Sequence, residues 1–169
     1  MQKAESGRYH PRRMEKDLPD RAEQLAVIRS QKFLTFALCR DNEPYLVTMN
    51  YAFSEAENCF YLHCANEGKK MDFIRANPRV WGQVVEDRGY VQGKCSHAYR
   101  SVMFDGVAEV VHEPEAKRRA LELMIEQFEP DPEPLKAKLL TKAGMEKTTV
   151  LRLRVLAMSG KQSPAPGKG

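Results

Sequence analysis

The stretch Pro44–Lys70, PYLVTMNYAFSEAENCFYLHCANEGKK, decides how this chain is read. Side chains alternate along an extended strand, so Tyr45, Val47, Met49, Tyr51 and Phe53 share one face while Leu46, Thr48, Asn50 and Ala52 share the other. The first set is a core face. The second is small and partly polar and lacks the Lys, Glu or Arg of a solvated face, which leaves room for something flat against the backbone. After a turn over Ser54–Asn58, the run Cys59-Phe60-Tyr61-Leu62-His63 is apolar enough for a central strand, and it ends at the strand-breaking Asn66-Glu67-Gly68. Lys69–Ala76 then reads as a helix with Met71 and Ile74 on one side and Asn77-Pro78 as its stop. Lys69 and Lys70 set two ammonium groups where the helix macrodipole and unpaired backbone N–H groups already favour negative charge. That combination is the chemistry of an anion site, with phosphate as the first candidate.

Outward from this segment, 169 residues suffice for one domain with its own core. Hydrophobic residues make up 42% and charged residues 30%, as in an ordinary globular protein, and no apolar run approaches the roughly 20 residues of a membrane span. The N-terminus, MQKAESGRYHPRRMEKD, carries charge where a signal peptide needs an apolar stretch, so a cytoplasmic location is expected. The four cysteines, Cys39, Cys59, Cys64 and Cys95, form no C-x-x-C pair and read as reduced thiols packed as small apolar groups, with no metal site among them. The net charge of +4 invites a nucleic-acid partner. The charges, however, gather at Arg8, His10, Arg12, Arg13 and Lys16 and at Lys161 and Lys168, with no basic stripe on the central strands, so neither nucleic acid nor membrane is expected as a partner.

In chain order, residues 1–19 read as an arm that is ordered only where something docks it, 20–161 as the folded domain, and 162–169 as a disordered tail. Asp20 followed by Glu23 starts a helix through Ser30, and Phe33–Cys39 is a buried strand. Arg79–Glu86 is another strand, with Val80 and Val84 on one face and Trp81, Gln83 and Val85 on the other. Trp81, Tyr45, Tyr51 and Tyr61 are expected in the core. Asp87–Ala98 reads as a loop; its glycines lack the spacing of a phosphate-binding P-loop, and no helix follows. Tyr99–Val111 is a long strand in which Gly106 marks a bulge of the kind that closes a small barrel. Pro114–Phe128 is an amphipathic helix, Leu135–Met145 a short one, and Thr148–Met158 the last strand, with Arg152 and Arg154 on a solvated face. The fold class is mainly β with flanking helices, about six antiparallel strands in a barrel-like sheet.

Four segments in order then form a recognisable set: Pro44-x-x-x-x-Met49-Asn50-Tyr51; Phe60-Tyr61-Leu62-His63-x-Ala65-x-x-Gly68-x-Lys70; Asn77-Pro78-Arg79-Val80; and Tyr99-Arg100-Ser101-Val102 with Gly106. The chain resembles the pyridoxamine 5′-phosphate oxidase-like flavoproteins, and among them the nitroimidazole-resistance (Nim-type) branch. The resemblance implies a split β-barrel that binds FMN at a homodimer interface. It implies that Val47, Thr48, Met49 and Asn50 line the isoalloxazine and that His63, Cys64, Ala65, Lys69 and Lys70 surround the ribityl chain and phosphate. It implies that Arg100 and Ser101 reach the cofactor from the other subunit. His63, which Nim-type proteins often place beside the flavin, is the candidate catalytic acid.

The oxidase itself holds its phosphate with a Ser-Arg-Lys run; here Asn66-Glu67-Gly68-Lys69-Lys70 lacks that arginine, and the oxidase's C-terminal substrate-binding pattern is also missing. Pyridoxamine phosphate oxidation is therefore not carried over. The expected activity is an FMN-dependent reduction of a small nitroaromatic or similar acceptor. No G-x-G-x-x-G turn offers a Rossmann-type nicotinamide domain, so the electron donor binds elsewhere or is another protein. FAD or a deazaflavin would share the phosphate loop. The competing expectations are a flavin store without turnover and a haem-binding relative using His63 or His97.

Overall fold

A computed structural model describes residues 13–163. The chain folds into one seven-stranded antiparallel sheet with helices on its outside and at its ends. The strands are β1 (Phe33–Arg40), β2 (Glu43–Asn50), β3 (Ala52–Ser54), β4 (Cys59–Ala65), β5 (Arg79–Val91), β6 (Ser96–Val110) and β7 (Thr148–Ser163). The α-helices are α1 (Arg21–Ser30), α2 (Lys69–Ala76), α3 (Pro114–Phe128), α4 (Glu133–Leu139) and α5 (Lys142–Glu146).

The strand order is β2-β1-β5-β6-β7-β4-β3. Its two edge strands, β2 and β3, are consecutive in sequence and joined only through Tyr51, so the sheet curls round until its edges meet in one continuous segment. That is a split β-barrel, as expected. The strand anticipated over Tyr45–Phe53 breaks at Tyr51, which is why there are seven strands rather than about six. Tyr51 is buried, and its hydroxyl donates to the Ile28 carbonyl at 2.5 Å. The β1–β2 hairpin turns through Asp41 and Asn42 with φ of 51° and 64°, the paired left-handed geometry that matches the twist of the flanking strands.

The predicted bulge is real. The β6–β7 register shifts between Asp105 and Gly106, and a Cβ on Gly106 would lie 2.7 Å from the Arg154 carbonyl oxygen. Two further expectations are corrected. Most of Asp87–Ala98 is hairpin, because β5 runs to Val91 and β6 resumes at Ser96, with a register shift between Asp87 and Tyr90 and positive φ at Gly89, Gly93 and Cys95. Leu135–Met145 is two short helices, separated where the Thr141 side chain caps α5 by accepting from Gly144 N–H.

The main core fills the barrel with Leu34, Phe36, Phe60, Leu62, Val84 and Phe104, and α1 and α2 add Ile28 and Phe73 to the same cluster. A second, smaller cluster lies outside the barrel, where Ala120 and Met124 of α3 pack on Ala52, Cys59, Tyr61 and Val150. The described part of the N-terminal arm is docked: Leu18 is fully buried, its N–H donates to the Gly160 carbonyl, and the Leu18 carbonyl accepts from the Gln24 side-chain amide. β7 continues to Ser163, two residues past the expected end of the domain at Lys161, because it stays paired with β6 through Tyr99. The arm and tail expected over residues 1–12 and 164–169 lie outside the described residues. No helix among the described residues is long and apolar enough to cross a membrane.

Candidate flavin-site residues and an uncovered barrel face

α2 follows β4 through Gly68, whose φ of 123° is left-handed and whose missing Cβ leaves open space. The Gly68 carbonyl takes the N–H groups of Met71 and Asp72, and no side chain caps the helix start. The Lys69 and Lys70 N–H groups therefore stand at an open N-terminus. The two lysines differ sharply. Lys69 is already committed: its ammonium donates to Glu43 Oε1 at 2.8 Å and lies over the rings of Tyr45 and Phe73. That hydrogen bond holds the Glu43 carboxyl below its ordinary range. Lys70 makes no ion pair with a carboxylate among the described residues; it is half-buried, and its ammonium donates to the Met49 thioether at 3.2 Å. A half-buried ammonium whose neighbour is a weak sulfur acceptor is a cation lacking a matching anion.

His63 and Cys64 point to opposite faces of β4, as neighbours on a strand must. Cys64 faces the core side, 3.7 Å from Met71 Sδ; burial pushes its thiol up, against a smaller opposing pull from Lys70. His63 faces outward. Burial first, and the Lys70 ammonium second, lower its pKa, which keeps the imidazole neutral at pH 7. His63 also lines a pocket of about 490 Å³ beneath α3 and α4, whose walls include Leu121, Ile125, Phe128, Leu135 and Leu139. Asn50 belongs to the same lining, and its amide donates to the Lys32 carbonyl at 3.1 Å. Ala65, the last residue of β4, pairs with Thr148.

Val47 and Met49 turn towards the core cluster, while Thr48 and Asn50 turn outward, with Thr48 bonded to Thr35 hydroxyl-to-hydroxyl at 2.8 Å. The outward face they belong to is built in cross-strand rows. Leu46, Ala37, Trp81 and Asp105 form one row, and Thr48, Thr35, Gln83 and Met103 form the next. Continuing the register puts Asn50 and Phe33 in line with Val85 and Ser101. Among the described residues no helix covers the exposed side chains of these rows. Leu46 is 68%, Phe33 58% and Trp81 55% exposed, with Val85 and Met103 beside them. The expectation that Trp81 is core is therefore wrong: its partner on the inner face is Gly82, whose absent side chain admits the Phe104 ring, so the indole is left outside.

Arg100 and Ser101 are not gathered around Lys70 within one chain. Arg100 is held by Glu86 at 2.6 Å, and Ser101 is buried with its hydroxyl near the Lys161 carbonyl. His63 pairs with β7 at Val150, next to the level of Val110, whereas Arg100 lies about ten residues back along β6, on the order of 30 Å of strand. Around the open face, by contrast, Ser101 and Asn50 occupy the two ends of one row. His97, the other histidine considered as a ligand, is bound to Asp87 at 2.6 Å in the β5–β6 hairpin. Arg152 and Arg154 are not simply solvated, since both donate to Glu109. All four cysteines are free, but Cys39 and Cys95 are exposed rather than packed. Among the described residues no cluster of His, Cys, Asp and Glu could hold a metal ion.

Comparison with known proteins agrees with this architecture. The family model described as pyridoxamine 5′-phosphate oxidase matches residues 20–162. An uncharacterized protein of Rhizobium meliloti is 36% identical over 67 residues, 39% of this chain and 42% of that protein, so the match spans less than half of the relative. Among solved structures, a candidate 5-nitroimidazole antibiotic resistance protein from Bacteroides thetaiotaomicron superposes with a TM-score of 0.73 at 22% identity, covering 86% of each chain. The flavocytochrome Anf3 from Azotobacter vinelandii gives 0.82 at 18% identity over 95% of this chain and 76% of that one. The FAD and heme binding protein from Mycobacterium smegmatis gives 0.74 at 20% identity, covering 91% and 77%. These identities speak for the fold, while the family match spans nearly all of the described chain: this protein belongs to the pyridoxamine 5′-phosphate oxidase family.

Proposed function

We propose that this protein is a flavoprotein which binds FMN at the interface of a homodimer and passes electrons to a small nitroaromatic or similar acceptor. The observation that carries the proposal is Lys70, a half-buried ammonium without a carboxylate partner among the described residues, set at the open N-terminus of α2. A flavin phosphate would supply the missing negative charge, held by Lys70 and the first N–H groups of the helix. Lys69 would remain with Glu43 and contribute little. Thr48 and Asn50, with the backbone between them, would face the ring system, and the flavin when bound would supply the electron-transfer chemistry. His63 would serve as a neutral hydrogen-bond donor towards charge developing on the acceptor.

The homodimer rests on the uncovered face. Large apolar side chains concentrated on one sheet face mark an interaction surface. A second copy would bury them and bring its own Ser101 row towards β2 of the first, completing a site that one chain leaves in two parts. FAD carries a comparable phosphate, and relatives of the same fold described as binding FAD keep it as the variant of this proposal.

The test is the visible spectrum of the purified protein, before and after incubation with FMN and gel filtration. Retained flavin bands, followed by bleaching with reductant and recovery on adding a nitroaromatic acceptor, are expected. Retention without recovery would leave a flavin store and remove the reductase step. A protein that retains no flavin would overturn the proposal.

A further inference from the structure

The pocket under α3 and α4 is not needed to hold a flavin phosphate, and its lining has a chemistry of its own. Its volume, about 490 Å³, falls within the range of small-molecule sites. The wall is built from leucines of α3 and α4 together with Ile125 and Phe128, while the polar groups His63 and Asn50 sit on the barrel side and Glu129 belongs to the α3 end. Among the described residues no lysine or arginine lines it. A carboxylate or phosphate entering would lose its hydration with no lysine or arginine in the lining to pair with, the Lys70 ammonium acting on His63 only from outside the pocket, and would approach the Glu129 carboxylate as well. The lining therefore selects against anions and against highly polar ligands.

We propose that this pocket is a binding site for an uncharged ring compound carrying one oxygen function, its rings between the α3–α4 leucines and its oxygen against His63. A neutral imidazole offers one N–H donor and one acceptor nitrogen, so it can satisfy a hydroxyl or a carbonyl oxygen. His63 makes no side-chain hydrogen bond within the chain among the described residues, so that capacity is unused. Asn50, whose amide is tied to the Lys32 carbonyl, keeps its own oxygen as a second acceptor at the same end. His63 and Asn50 are shared with the proposed flavin site, so flavin-free protein is used below and the outcome stands apart from that of the flavin reading.

The test uses two probes with one skeleton, 2-naphthol and 2-naphthoate, measured by equilibrium dialysis against the flavin-free full-length protein at pH 7.5. One 2-naphthol per chain is expected, with 2-naphthoate weaker by about tenfold or more because its charge is unmatched. Leu139→Trp, at the exposed rim, and Leu121→Trp, deeper in the wall, should each reduce 2-naphthol binding by about tenfold by filling the space. His63→Phe should weaken it by about three- to tenfold, the worth of one hydrogen bond. Circular dichroism establishes that each variant is folded, and the rim variant decides if the deeper one is not. Equal binding of the two probes, absence of 2-naphthol binding, or unchanged binding in a folded Leu139→Trp would overturn the assignment.

Discussion

The two halves of the barrel wall were built from similar strands and finished differently. Over β3, β4 and β7 the outer side chains are Ala52, Cys59, Tyr61 and Val150, and α3 lies on them. Over β2, β1, β5 and β6 the outer side chains include Leu46, Phe33, Trp81 and Val85, and among the described residues they stay exposed. Ala52 and Cys59, the small residues of the covered half, let a helix approach closely. On the open half, the large ones remain exposed among the described residues. The contrast separates two kinds of apolar surface: one buried within the chain and one left exposed, on which the proposed second copy would sit.

The strongest way to break that contrast is a charge in the open half. Trp81→Glu should convert a dimer to monomers, weakening association by a hundredfold or more, since a central aromatic anchor is typically worth ~2 kcal/mol or more. Sedimentation velocity reads the result, and a dimer undisturbed by Trp81→Glu would show that the open face is not the interface. Met124→Glu, on the covered half, should instead lower the melting temperature without a monomer–dimer shift of its own.

A second variant sharpens the explanation for the exposed indole. At Gly82 an added Cβ would sit 2.1 Å from the Phe104 ring, so Gly82→Ala should destabilise the fold by about 1–3 kcal/mol through overpacking. Thermal denaturation should show a drop that Phe104→Leu in the same chain partly restores. If Gly82→Ala melts like the wild type, the close approach of Phe104 is not what sets this wall.

The smallest effect concerns His63. Its folded pKa lies below the ordinary value of 6.5, so between the two values the unfolded chain binds more protons than the folded one. Its contribution is constant above that ordinary value, and stability falls as the pH drops from it towards the folded pKa. Replacing His63 with Gln should flatten the melting-temperature profile in that window and nowhere else; an identical slope in both proteins would contradict the partial desolvation of the imidazole.

Much of this was legible in the residues. The alternation in Tyr45–Phe53 marked the core face, Gly106 marked the bulge, and Pro114 and Asp20 marked helix starts, because each is a local rule that the tertiary structure had no reason to override. Less visible was anything set by a neighbour distant in sequence. Trp81 is outside because Phe104 occupies the space at Gly82, and no local pattern announces which side of a strand a helix will cover. The equivalence of Lys69 and Lys70 in the sequence dissolves in the fold for the same reason, since Glu43 comes from another strand. The helix-walled pocket had no signal beyond the amphipathic spacing of α3, as its other wall comes from α4 and its polar end from β4.

The central claim turns on that asymmetry between the lysines. Titration of flavin-free wild type, Lys69→Ala and Lys70→Ala with FMN, followed by quenching of flavin fluorescence, tests it most directly. Loss of the charge-assisted contact at Lys70 should weaken binding by roughly ten- to a hundredfold, corresponding to about 1.5–3 kcal/mol, while Lys69→Ala should change it by less than about threefold. Equal effects of the two substitutions, or wild-type affinity in Lys70→Ala, would contradict the assignment of Lys70 as the phosphate anchor.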